Sequence, residues 1–282
     1  MALMTLIVMA PAVLMKKPPA PVSAPADSVA TVAPVPAPAP DLGAAAALPP
    51  SVAGPAEATP EDTVLIHTAL ATYGISTRGA RLVTAALEHY LDQAPGQKGR
   101  PVNLTLPGSE LMGLRLVVGA DTLRLDDWIF ETTATEMSTD VPMTVELTST
   151  RGDVTVNLAY TFRPDDYRIG VVGSVSGVGP NGGLLLVGMG PGLANTEANL
   201  VENERSMGFV TKSQGTKFKS FESLDTAEVA AVSGPFEWVA VKSKYFVTAV
   251  LAFETGAAPV GGLSVRPMPQ SAADNGMLPP LR

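Results

Sequence analysis

The chain has 282 residues, carries a formal charge of −8 and contains no cysteine, so a disulfide framework, a thiolate nucleophile, a Cys-ligated metal and a lipidated N-terminal cysteine are all excluded. Its acidic balance and lack of a dense Lys/Arg run argue against nucleic-acid binding. With only His67 and His89 for imidazole chemistry, multi-histidine catalysis or zinc binding is nearly excluded as well.

Residues 1–15, MALMTLIVMAPAVLM, are apolar and uncharged. They fall short of the roughly 20 apolar residues that cross a bilayer and have no basic leading region. They read as a membrane anchor, with a cleaved signal or a buried core helix as the other readings. Composition shifts abruptly over residues 16–60, which are nearly all Pro, Ala, Val and Ser. Proline removes backbone donors and favours polyproline II, and alanine offers little surface to bury, so this stretch reads as a disordered, semi-rigid, solvated tether.

Folded sequence begins near Thr63. Residues 63–72 (TVLIHTALAT) are read as one strand continued by Tyr73-Gly74-Ile75-Ser76, and residues 77–80 (TRGA) as a turn. Residues 81–90 allow helix by alanine content, but their alternation and the closing Pro95-Gly96 favour strand. Further strands are read at 102–106, 114–118, 122–125, 128–131, 143–149, 154–162, 167–178 and 182–188, each bounded by Gly, Pro, Asp or Asn. Val154, Val156, Leu158, Tyr160 and Phe162 alternate with period two, between turns at Arg151-Gly152-Asp153 and Pro164-Asp165-Asp166. This spacing implies an antiparallel sandwich or barrel, and the missing βα alternation disfavours a dinucleotide-type sheet.

The motifs that could carry chemistry do not assemble into a site. Residues 195–207 (NTEANLVENERSM) are helix-permissive, and Glu197, Glu202 and Glu204 read as a solvated face, not as acid–base carboxylates. Gly182, Gly183, Gly188, Gly190 and Gly192 lack both a GKS/T frame and a strand-to-helix setting. Ser206, Ser213 and Ser220 lack a G-x-S-x-G frame. His67 and His89 read as packed or surface residues. No catalytic, cofactor or metal-ligating residue is assigned.

Residues 234–251 (GPFEWVAVKSKYFVTAVL) are read as a turn followed by an aromatic-rich strand pair or bent strand, with Trp238, Tyr245 and Phe246 as apolar anchors and Lys242 and Lys244 facing water. This stretch resembles the periplasmic domain of the YidC/Oxa/Alb membrane-protein insertases, which carries a Trp-hydrophobic-small block leading into Lys-Tyr-Phe. Residues 73–82 (YGISTRGARL), with Leu87 and Tyr90, look like that domain's opening strand and turn, and residues 160–167 (YTFRPDDY) like its central hairpin. The signature positions are Gly79, Tyr160, Tyr167, Trp238, Lys244, Tyr245 and Phe246, all structural.

The resemblance implies an all-β fold: a twisted antiparallel β-sandwich of the supersandwich, galactose-mutarotase-like type. It implies a periplasmic domain at 61–256, held at the bacterial inner membrane by the N-terminal segment. Its implied function is assistance in inserting and folding inner-membrane proteins, alone or with the Sec translocon, with nascent membrane proteins and Sec components as partners. The family continues into a bundle of about five transmembrane helices, whereas nothing after Leu251 here is long and apolar. Residues 257–282 are accordingly expected to be a Gly/Pro-rich, truncated tail, and insertase activity is not credited to these residues alone. The alternative from another class is an exported carbohydrate-binding or carbohydrate-processing sandwich, which requires a histidine clustered with Glu and Trp in one concave pocket.

Overall fold

The computed structural model describes residues 61–109, 111–179, 183–224, 229–251 and 260–266. The anchor expected at 1–15 and the tether at 16–60 lie outside the described residues, as does most of the 257–282 tail. Among the described residues no helix is long and apolar enough to cross a membrane.

The domain is an all-β sandwich. A first sheet has the order β4-β3-β2-β1-β7, formed by β1 (Thr63–His67), β2 (Ala71–Ser76), β3 (Leu82–Leu91), β4 (Pro101–Asn103) and β7 (Glu136–Ser138). Between β4 and β7 in sequence come β5 (Leu114–Val118) and β6 (Asp121–Arg124). Facing the first sheet are β8 (Met143–Arg151), β9 (Val154–Arg163) and β10 (Asp166–Ser176), in the order β10-β9-β8. Every pairing in these two sheets is antiparallel except β1 with β7, which is parallel and departs from the expected antiparallel pattern.

The alternation seen in sequence sets the packing. Val145 and Leu147 of β8 and Val156, Leu158, Tyr160 and Phe162 of β9 all point inward, because residues two apart share one face of a strand. They meet Val64, Ile66, Tyr73, Ile75, Leu82, Ala85 and Leu87 of the facing sheet in one core. Each fully buried Leu, Ile or Phe there contributes about 1.5–3 kcal/mol relative to exposure. The Tyr73 and Phe162 rings lie 5.2 Å apart across the two sheets, in a tilted pair.

The strand expected over 63–76 is in fact a hairpin. Thr68 supplies the turn that Gly or Asn would usually supply: its Oγ1 donates to Ala71 O and accepts from the amides of Leu70 and Ala71. The strand expected at 128–131 is reduced to isolated bridges, Arg78 with Ile129 and Glu131 with Thr148. Residues 81–90 are strand, as the alternation required.

A second cluster is built by later sequence. Here β11 (Leu184–Val187) pairs with β5, and helix α1 (Leu200–Ser206) leads into β12 (Gly208–Lys212) and β13 (Thr216–Ser220). After them come β14 (Ala230–Phe236), β15 (Trp238–Lys242), β16 (Val247–Leu251) and β17 (Val260–Val265). One sheet has the order β13-β12-β15-β16, and β14 pairs with β17. Met207, Phe209, Phe221 and Val241 form the buried centre, with Leu193. The segment 260–265, assigned from sequence to a tail, is therefore a strand of the domain. Its residues VGGLSV lay Leu263 opposite Val232, and Leu263 and Val265 pack on the second core. Two adjacent glycines masked that strand in the sequence, since glycine carries no alternation to read.

Candidate interaction surface

The signature positions fall into three groups. The first is a buried brace. Gly79 sits at φ +74° in the turn between β2 and β3, and its amide donates to Trp128 O at 2.7 Å. A Cβ there would lie 2.5 Å from Asp126 O and 2.8 Å from Asp126 Cα, so both the backbone angle and the space demand glycine. The next residue, Ala80, accepts a 2.8 Å hydrogen bond from the Tyr160 hydroxyl, which is fully buried. Burial drives the Tyr160 phenol well above its ordinary pKa, so the hydroxyl stays a donor. Beside this turn, the buried carboxylate of Asp126 accepts from Arg115 Nε at 2.8 Å, and Arg124 Nε lies 3.7 Å from its other oxygen. Sequence reasoning missed this ion pair, because "LDD" reads as an ordinary acidic turn.

The second group is the Lys-Tyr-Phe block. It does not lie along a strand: Lys244 and Tyr245 form the tip of the β15–β16 hairpin. Ser243 closes the tip, its amide donating to Phe246 O at 2.8 Å while its hydroxyl accepts from the Phe246 amide at 3.1 Å. Tyr245 is consequently 65% exposed and is no apolar anchor. Lys244 Nζ pairs with Glu202 Oε1 at 2.5 Å. Their hydrogen bond lowers the Glu202 pKa and raises that of Lys244. The Lys244 amide also donates to Asn203 Oδ1, and Asn203, fully buried, donates from Nδ2 to Asn195 Oδ1. Asn203 thus pins α1 to the hairpin tip; nothing in its sequence setting marks it.

Phe246 packs against both hydrophobic clusters. Its ring meets Tyr90 edge-on, with centroids 5.6 Å apart. Tyr90 is 47% exposed, and the adjacent Leu91 is exposed too. Tyr167 is 41% exposed; its carbonyl accepts from the Tyr73 hydroxyl, and its own phenol pKa is raised, first by partial desolvation and then by Tyr90. These exposed phenols offer broad, rigid contact area with a polar tip, the kind of side chain enriched at protein interfaces.

Trp238, the remaining signature position, is partly buried on β15, opposite Lys212 and Leu251. Val239 and Val241 on one face of the strand and Ala240 on the face of Trp238 are all buried.

The histidines are far from this surface in role. His67 Nδ1 contacts Thr72 Oγ1, which donates to Glu88, and His67 Nε2 lies 3.4 Å from Glu136. That cluster is solvent-exposed and has no tryptophan: Trp128 is buried beneath Arg151, and Trp238 is in another sheet. His89 is exposed. Among the described residues no group of three His, Asp or Glu could hold a metal ion. The carbohydrate-site condition is therefore not met by the described residues.

The described residues thus form a two-core β-sandwich whose signature residues Gly79 and Tyr160 brace the turn between β2 and β3 and whose Tyr245 stands exposed on a hairpin tip. Residues 63–263 match the family model of the YidC periplasmic domain, and the chain belongs to that family. No curated protein sequence matches it. Family membership makes this a membrane-associated protein with a periplasmic domain and a role tied to membrane insertion.

Proposed function

We propose that the chain assists the insertion and folding of inner-membrane proteins at the bacterial inner membrane, alone or beside the Sec translocon. Residues 1–15 anchor it, residues 16–60 space it from the bilayer, and the β-domain stands in the periplasm, running from residue 61 through the strand that ends at Val265. Its part is scaffolding and partner contact, with nascent membrane proteins and Sec components as partners and no chemistry of its own. Gly79, Tyr160, Trp238 and Phe246 hold the scaffold. Tyr90, Tyr167 and Tyr245, with Lys244 fixing the tip that carries Tyr245, form the contact surface.

The observation that carries this reading is the family match across the folded domain, joined to exposed aromatics on a braced frame. The test is site-specific photocrosslinking from position 245 or 90 in the full chain, in inner-membrane vesicles making a membrane protein. Adducts to nascent chains or Sec subunits are expected. Their absence at both positions, with the protein folded and membrane-bound, overturns the assignment of this surface.

A further inference from the structure

The edge strand β10 stands apart from the aromatic surface. No charged residue lies between Arg168 and Glu197, in a chain of net charge −8. Residues 170–176, GVVGSVS, pair with β9 in unbroken register, Gly170 with Thr161 through Ser176 with Thr155, and the one irregularity precedes Gly170. Among the described residues nothing pairs with the other edge of β10. Edge strands are usually defended by charge, proline or a bulge, because their free N–H and C=O groups template further pairing. This stretch has none of the three. Two of its valines are also uncovered, Val172 63% exposed and Val171 37% exposed although it lies on the face that Tyr160 turns to the core, while Val175 packs on that core.

The sequence of this edge says what fits it. Laid antiparallel to itself about Gly173, it places Val171 opposite Val175 of the second strand, Val172 opposite Ser174 and Gly170 opposite Ser176. The same pairs recur on the other side of the two-fold axis. Val171, Gly173 and Val175 are cross-strand neighbours of Tyr160, Leu158 and Val156, so the Val171–Val175 pairs would stack on the core-facing side. β-branched pairs of this kind are among the favourable cross-strand contacts. Gly173 meets its own copy at the centre, where the missing side chain lets two backbones approach. No like charges meet, because none are present. An isologous contact requires this self-complementarity.

We propose that β10 is a self-pairing edge through which two copies of this chain join antiparallel, merging two three-stranded sheets into one of six strands. Each copy carries −8 overall while the edge is neutral, so raised ionic strength screens the mutual repulsion and favours the pair.

The test uses the full chain in a mild detergent. Sedimentation should show the mass rising towards twice the monomer value with concentration, more so at high salt. Val172→Lys places a charge on the exposed outer position and should abolish the rise while leaving the melting midpoint unchanged. Because the chain has no cysteine, register can be read without background. A mixture of Val172→Cys and Ser174→Cys proteins should form disulfide-linked pairs on oxidation, well above either variant alone. Three outcomes overturn the proposal: a wild-type chain monomeric at every salt and concentration, association that persists in Val172→Lys, or no mixed cross-link. A Val172→Lys protein that loses thermal stability as a monomer would also overturn it, by showing that the chain covers its own edge.

Discussion

The two hydrophobic clusters of this domain differ in how they are enclosed. The first lies between two facing sheets, and its largest fully buried members are Tyr160, Phe130, Phe162, Ile66 and Ile75. The second has five buried residues, Leu193, Met207, Phe209, Phe221 and Val241, ringed by partly exposed ones. Leu104 and Phe246 pack against both. The difference teaches that deep burial is concentrated in the earlier half of the domain, while the later half shares Leu104 and Phe246 with it. The protein's two tryptophans report the halves separately, since Trp128 is buried in the first cluster and Trp238 lies on β15.

Gly79→Ala should be the most damaging change. It combines a left-handed backbone angle, costing about 1–2 kcal/mol for a residue with Cβ, with collision against Asp126. The expected total is above ~3 kcal/mol, read as a collapsed urea midpoint or insoluble protein. Phe162→Ala should cost about 4 kcal/mol and Phe209→Ala about 3 kcal/mol, both within the usual range for a buried phenylalanine. Equal losses at the two sites would erase the proposed contrast between the clusters.

Phe246→Ala sharpens the comparison further. In the wild type, fluorescence from Trp128 and Trp238, isolated in Trp238→Phe and Trp128→Phe backgrounds, should give coincident unfolding curves. Without the Phe246 ring, the Trp238 transition should move to lower denaturant by about 2 kcal/mol and separate from that of Trp128. Coincident curves in the variant would show that Leu104 alone couples the halves. Trp238→Ala should cost only about 1–2 kcal/mol, because the ring is half-buried.

The mildest effect concerns alkali. Burial, then Tyr167 and Asp166, raise the Tyr73 phenol to about 12, whereas it ionises near 10 in an unfolded chain. Between those values the folded state holds a proton that the unfolded state has lost. This contribution is therefore whole below pH 10 and disappears as pH climbs towards 12. Tyr73→Phe keeps the ring against Phe162 and should flatten the fall in melting temperature over that window.

Much of the sandwich was legible in the sequence because β8 and β9 alternate cleanly, with one face buried and the other wet. The stretch 81–90 was legible for the same reason, despite its alanines. Legibility failed where a turn or a pairing leaves no alternation. The β1–β2 hairpin turns on a threonine hydroxyl, and β17 is masked by Gly261 and Gly262. Three-residue β7 is too short to show a period. At the candidate surface, sequence marked Phe246 and Lys244 but could not place Tyr245 on a hairpin tip, because that depends on how Ser243 closes the chain. Asn203 and the Asp126–Arg115 pair are long-range contacts between unremarkable residues, visible only once the strands are assembled.

The bond from Tyr160 to Ala80 spans eighty positions of the chain. A polypeptide that reaches its compartment N-terminus first delivers the Ala80 turn early and its hydroxyl partner late. Until β8 and β9 arrive, the inner face of the first sheet, with Ile66, Tyr73, Ile75 and Leu82, lacks the facing sheet it packs on. Closing so long a loop is slow compared with forming a local hairpin. A factor that shelters that inner face until the facing strands are delivered should raise the yield of folded protein without touching its final stability.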